Sequence, residues 1–199
     1  MLLNRLEYAL VNNPVRSLVQ RYEARRLLRM GGPMARGRAL ELGCGRGVGA
    51  DLILDVFGAG TVDGFDLDPR MVTLARSRLA RRGSQAHVWV GDAECIATAD
   101  SSYDAVVDFG VIHHAPQWRG VLAEVKRVLK PGGLFYAEEV FAPFINHPVT
   151  RLLLEHPRHD RFDRDAFLAG LSDVGLEPGP YEELWHSFGW FIARRGNAA

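Results

Sequence analysis

The 199-residue chain has only two cysteines, Cys44 and Cys95. Their spacing does not suit a metal, and they form no disulfide framework. It also lacks an excess of charge: 24 basic and 24 acidic residues cancel to zero, so no global field draws it to nucleic acid or to an anionic membrane. Basic residues are nearly all arginine. No apolar run is long enough to span a bilayer. The opening stretch, Met1-Leu2-Leu3-Asn4-Arg5-Leu6-Glu7, has no signal-peptide core. These absences predict a reduced, cytoplasmic setting. Internal repeats and low-complexity segments are missing too. What is present, 47% hydrophobic residues, suffices for a single domain with a sizeable core.

Two kinds of periodicity alternate along the chain. Residues 2–30 read as helices broken near Asn12-Asn13-Pro14. Leu2, Leu3, Leu6, Leu10 and Val11 share a face, and Asn13 caps a second helix with Pro14 in its first turn. Arg21, Arg25, Arg26 and Arg29 on that helix read as a solvated face, because Glu23 is interleaved and the chain is neutral; a phosphate-binding patch is the alternative. Strands are predicted at 39–42, 61–66, 86–90, 103–109 and 134–137, the last running into Glu138 and Glu139. A helix from 69 to 82, capped by Asp68, buries Met71, Leu74, Ala75 and Leu79. Another covers 118–130. Strands alternating with helices imply a parallel sheet with right-handed crossovers. Residues 141–162, rich in Pro, His and aromatics, break the alternation and read as an insertion with a short helix at 150–155. A helix follows from Asp163 to Gly175. Strands at 182–188 and 190–194 are predicted to pair as a hairpin across Gly189.

The chain is organised around Ala39-Leu40-Glu41-Leu42-Gly43-Cys44-Gly45-Arg46-Gly47, where an apolar strand enters three alternate glycines before a helix start. Glycine allows backbone to approach a ligand closely, and a helix N-terminus offers it free N–H groups. The dinucleotide spacing G-x-G-x-x-G is absent, since its third glycine position is Val48. In an open α/β sheet, ligands bind outside the carboxyl ends of the strands. Acids gather there: Glu41, Asp66, Asp92, Asp108 and Glu138. Such an edge suits a ligand with hydroxyl and amino groups and a positive charge.

From Leu40 to about Leu134 these segments resemble, in order, the class I S-adenosylmethionine-dependent methyltransferases, in their small-molecule branch (type 11/25-like). The resemblance implies a Rossmann-like α/β fold: a seven-stranded, mostly parallel sheet with helices on both faces, the last strand antiparallel and inserted between the fifth and sixth. It implies S-adenosyl-L-methionine as cofactor, held by Glu41, Gly43, Gly45, Gly47, Asp66, Leu67, Met71, Asp92, Ala93 and Phe109. Glu41 matches the acid near the methionine amino group, and Asp66 the acid that accepts from both ribose hydroxyls. Leu67, flanked by Met71, matches a position against the adenine. Asp92 matches the acid that accepts from the adenine amino group, with Ala93 supplying an N–H to the ring. Leu129–Gly133 matches a structural turn.

No Asn/Asp-Pro-Pro-aromatic loop follows the fourth strand, as it does in enzymes that methylate base or glutamine amino groups. Asp108-Phe109-Gly110-Val111-Ile112-His113-His114-Ala115 stands there instead. His113 and His114 are therefore the candidate catalytic residues, with Glu139 as rival base; loop-shaping is the competing role. No metal is expected, because His147, His156 and His159 are irregularly spaced. One domain, 1–199, is predicted: a helical lid at 1–32, the cofactor core at 36–140, a lid insertion at 141–162, and a C-terminal helix and hairpin at 163–199. The expected function is methylation of a small, partly hydrophobic metabolite by a monomer or homodimer. An RNA or protein methyltransferase and a non-catalytic cofactor-binding subunit are the alternatives.

Overall fold

The computed structural model describes residues 13–147, 150 and 160–197. The helix predicted over 2–11 lies outside them, as do Arg151, the apolar residues 152–154, His156 and His159. Helix α1, Pro14–Gly31, starts as the sequence predicts: the Asn13 side chain accepts from the Val15 N–H at 2.8 Å. Its inner face buries Ala24 and Leu27, and the Tyr136 hydroxyl ties its last turn to the sheet by donating to the Gly32 carbonyl at 2.9 Å.

Seven strands form one sheet: β1 (Arg38–Leu42), β2 (Thr61–Asp66), β3 (Ala86–Val90), β4 (Tyr103–Phe109), β5 (Leu129–Val140), β6 (Leu176–Leu184) and β7 (Phe188–Arg195). Their order is β3-β2-β1-β4-β5-β7-β6. The first five are parallel, and β7 runs antiparallel between β5 and β6, as expected. Apolar residues line both faces of the central strands, so helices must cover both sides. One face packs Leu27, Ile53, Phe57 and Ile192 beneath α1, α2 (Val48–Asp55) and α3 (Pro69–Leu79). The other packs Phe135, Val106, Trp118 and Phe167 beneath α4 (Trp118–Val128) and α6 (Arg164–Asp173). Among the described residues, no helix is long and apolar enough to cross a membrane.

Three boundaries differ from the sequence expectation. The hairpin turns at Trp185-His186, both at φ near 50°, with the Ser187 N–H donating to the Leu184 carbonyl at 3.0 Å. That is a primed turn, which matches strand twist. Gly189 instead sits inside β7, where the rings of Phe141 and Phe191 occupy the place of a Cβ. Its glycine answers to packing, not to turning. Helix α4 stops at Val128 rather than at 130, and β5 starts at Leu129. Pairing with β4 then jumps from Tyr103↔Leu129 to Ala105↔Leu134, so Lys130–Gly133 form a bulge. Helix α3 ends at Leu79 and continues as a 3₁₀ turn, Ala80–Gln85, broken at Gly83. In the insertion, the described helix is α5, Ala142–Ile145.

Strand register assembles the functional edge. Leu42 pairs with Asp108 and Phe109 with Glu138, so the carboxyl ends of β1, β4 and β5 lie side by side. The crossovers diverge between β1 and β4, which opens a crevice there.

Candidate functional site

Backbone sets the floor of the crevice. Gly43, Gly45 and Gly47 all have positive φ, 56°, 49° and 81°, and Gly47 is the residue at which α2 begins. A fourth alternate glycine, Gly49, was readable in the sequence but carries no role there. Its position is decisive: a Cβ on Gly49 would overlap Glu41 Oε1 and come within 2.9 Å of Phe109 Cδ2. The missing side chain lets the Glu41 carboxylate lie under the first turn of α2, hydrogen-bonded to the Ala50 backbone. Its other oxygen, Oε2, is buried with no partner among the described residues. Burial, with repulsion from Asp66, pushes the Glu41 carboxyl well above its ordinary range. Gly49→Ala should therefore lose about 2–3 kcal/mol through overpacking. For a chain of this size that is a fall in melting temperature of about 5–10 °C. An unchanged melting curve would show that Glu41 can leave this seat freely.

Asp66 ends β2 and is held from both sides. Oδ2 accepts from the Gly45 N–H at 2.9 Å, and Oδ1 from the Asp68 N–H at 2.9 Å. Burial raises its pKa, and the two backbone bonds oppose that rise. Each oxygen keeps a second lone pair for a ligand donor. Asp68 is the helix cap the sequence predicts, accepting from Arg70 N at 2.8 Å. Leu67 is 40% exposed beside Asp66, whereas Met71 is 1% exposed and belongs to the buried face of α3. The Asp66 carbonyl accepts from Gly91 N at 3.0 Å, which fastens the next strand end. There Asp92 is exposed and its Oδ1 accepts from Glu94 N at 3.0 Å, while Ala93 is half-buried. Glu124 and Arg127 of α4 brace the following loop through Ile96 and Thr98.

The other half of the edge carries a buried acid–histidine cluster. After β4, a 3₁₀ turn, Ile112–His114, is anchored by Glu139. Glu139 is fully buried and accepts from Ile112 N at 2.7 Å; its Oε2 lies 2.6 Å from His113 Nδ1. Burial pushes the Glu139 carboxyl up to about 7, against hydrogen bonding from Asp108 and the backbone. Asp108 Oδ1 accepts from Val111 N at 2.9 Å, while Oδ2 is buried without a donor. Burial and the Glu139 charge push the Asp108 carboxyl far up, which favours its neutral form beside Glu139. The structure thus brings together Asp108, His113 and Glu139; sequence reasoning had set Glu139 against His113 as a rival, not as its partner. The His114 ring lies 4.2 Å from that of His113.

Glu138 faces α1 instead. Its Oε1 lies 3.7 Å from an Arg16 nitrogen, and Arg16 also pairs with Glu23. Arg164 of α6 binds Asp165 and Glu183. Arg46 from the glycine turn donates to Ser17 Oγ at 2.7 Å and to the Asn13 carbonyl at 3.1 Å. The first turn of α1 is thereby fastened to both the glycine turn and the end of β5. Beside His113, a pocket is lined by Ala115, Trp118, Val140, Ile145, Asp160, Arg161 and Phe162. Five of these are apolar, and four come from the insertion. Among the described residues, no group of three or more His, Cys, Asp or Glu is placed to hold a metal.

Comparison with known proteins gives this geometry a family context. Residues 39–133 match the family model described as a methyltransferase domain. A probable S-adenosylmethionine-dependent methyltransferase of Mycolicibacterium smegmatis is 42% identical over 96 residues, which are 48% of this chain and 35% of the relative. A fatty-acid O-methyltransferase of the same organism is 37% identical over 98 residues, 49% and 35% of the two chains. The matched stretch is thus about a third of the length of these relatives. Among solved structures, a putative sarcosine dimethylglycine methyltransferase from Galdieria sulphuraria superposes with a TM-score of 0.76, at 18% identity, over 94% of this chain and 89% of the other.

Proposed function

We propose that this chain, whose residues 39–133 form a class I S-adenosylmethionine-dependent methyltransferase domain, methylates a small, partly hydrophobic acceptor bound over the ends of β4 and β5. The observation that carries the proposal is the buried His113–Glu139 pair at the ends of β4 and β5, beside a small pocket of mixed lining. The residues fit the cofactor. Glu41 has a buried oxygen without a partner, suited to an ammonium group. Asp66 has one lone pair to spare on each oxygen, suited to a vicinal diol. Leu67 offers an exposed apolar face to a ring, with Asp92 and Ala93 at the next strand end. Gly43, Gly45 and Gly47 keep the approach clear, and Phe109 walls it beside Gly49.

S-adenosylmethionine supplies an electrophilic methyl group on a sulfonium that leaves readily. The chain contributes alignment, which can be worth about 7–11 kcal/mol. It also contributes a base where the acceptor starts as a hydroxyl or an ammonium. Glu139 holds Nδ1 of His113 and so fixes the ring, and the imidazole is the base assigned to the acceptor's proton. The insertion residues Ile145 and Phe162 shape the acceptor's apolar part. The fatty-acid relative favours an acyl-chain acceptor.

The test is release of S-adenosylhomocysteine over a panel of long-chain acids, hydroxylated hydrophobic rings, short amines, RNA and protein. Turnover is expected with a hydrophobic small molecule. RNA or protein as sole acceptor would overturn the proposal, and so would tight cofactor binding with no turnover on any class.

A further inference from the structure

We propose that the outer face of α1 docks on an anionic phospholipid surface. Read from sequence, the arginines of this helix look like an ordinary solvated face. The structure separates them. Arg26 is consumed: it pairs with Glu182 and lies 4.0 Å from the centroid of the Trp190 ring. Arg21, Arg25 and Arg29 are exposed and have no ion pair with a described residue. Glu23, the helix's single acid, is turned inward to Arg16 and is 7% exposed. The helix's own outer face therefore carries only positive charge, although Asp55 of α2 lies within electrostatic reach of Arg21 and the whole chain is neutral.

Apolar side chains share that face. Val15, Leu18, Val19 and Tyr22 are 61%, 70%, 44% and 57% exposed, a spacing of i, i+3, i+4 and i+7. Leu18 and Tyr22 continue into Arg25 and Arg29 at the same helical phase. An apolar ridge running into an arginine row matches a bilayer interface, where chains take the ridge and phosphates take the guanidinium groups. The first turn of α1 meets Glu138 at the carboxyl edge of the sheet. The β6–β7 turn stands at the same edge and holds Trp185, 79% exposed, a residue type favoured at bilayer interfaces. A second copy of the chain is the weaker occupant, because a two-fold contact would bring two all-positive helix faces together.

The docking is independent of methyl transfer and is tested without acceptor or cofactor. The full chain is sedimented with phosphatidylcholine vesicles, with and without phosphatidylglycerol, at low and high salt. Binding is expected only with phosphatidylglycerol and should fall as salt rises. Arg21→Glu/Arg25→Glu/Arg29→Glu, and separately Leu18→Ser/Tyr22→Ser, should each reduce partitioning by about tenfold or more with unchanged melting temperature. Two independent variants guard against misfolding of either one. The proposal falls if the wild type stays in solution with phosphatidylglycerol vesicles. It also falls if both variants bind as wild type does, or if the chain binds only an acidic protein. A change from dimer to monomer in Leu18→Ser/Tyr22→Ser, without vesicle binding, would assign the ridge to a second copy.

Discussion

Asp66→Ala should weaken S-adenosylmethionine binding by about a hundredfold or more. The side chain is placed to accept one charge-assisted bond on each oxygen, and losing two such bonds costs on the order of 3 kcal/mol, about two decades in affinity. The existing bonds from Gly45 and Asp68 matter because they fix the carboxylate before any ligand arrives. Asp66→Asn separates these contributions. It keeps one acceptor oxygen and places an NH₂ group against one of those backbone donors. Its loss should be smaller than that of Asp66→Ala if ligand bonds dominate, and equal or larger if the seating of the glycine turn dominates. Calorimetry with S-adenosylmethionine and S-adenosylhomocysteine gives both numbers. An affinity within about threefold of wild type for Asp66→Ala would remove Asp66 from the cofactor site, since one lost bond to a charged group already exceeds that.

The glycine-turn half of the edge was readable because its constraints are local. A glycine at positive φ, an acid ending a strand and an aspartate capping a helix each leave a mark within a few residues. Gly43, Gly45, Gly47, Asp66 and Asp68 show it. The antiparallel β7 was legible only through family resemblance, as periodicity cannot order strands. What escaped depends on contacts between distant segments. Gly49 matters because Glu41 and Phe109 converge on it. Gly189 matters because Phe141 and Phe191 stack over it, so the residue that looked like a turn lies within a strand. Glu139 reads in sequence as one of two alternating acids, and only the pairing of β4 with β5 sets it under His113. The outer face of α1 was visible as a row of arginines, but which of them found partners was not.

His113→Ala should lower turnover by about a hundredfold or more on a hydroxyl or amine acceptor, the usual worth of a positioned base. His114→Ala should cost much less, because the Glu139 carboxylate lies against the His113 ring. The pH dependence follows from the pair. Burial lifts the Glu139 carboxyl to about 7, and its Oε2 lies 2.6 Å from His113 Nδ1. Below that pH the carboxyl is neutral; above it the carboxylate can stabilise the charge that His113 gains on taking a proton. The rate should therefore rise with pH through an apparent pKa near 7 and level off above it. Glu139→Gln tests the positioning role. It removes the charge that orients the imidazole and sets an amide against the Ile112 and His113 N–H groups. The expected result is a lower kcat and a displaced pH limb, with cofactor affinity unchanged, because the residues proposed for the cofactor lie on other strands. A purely structural Glu139 would instead lower the melting temperature and leave the pH limb in place. If His113→Ala costs less than about tenfold and keeps the wild-type profile, proton removal by this pair is excluded and alignment alone carries the rate.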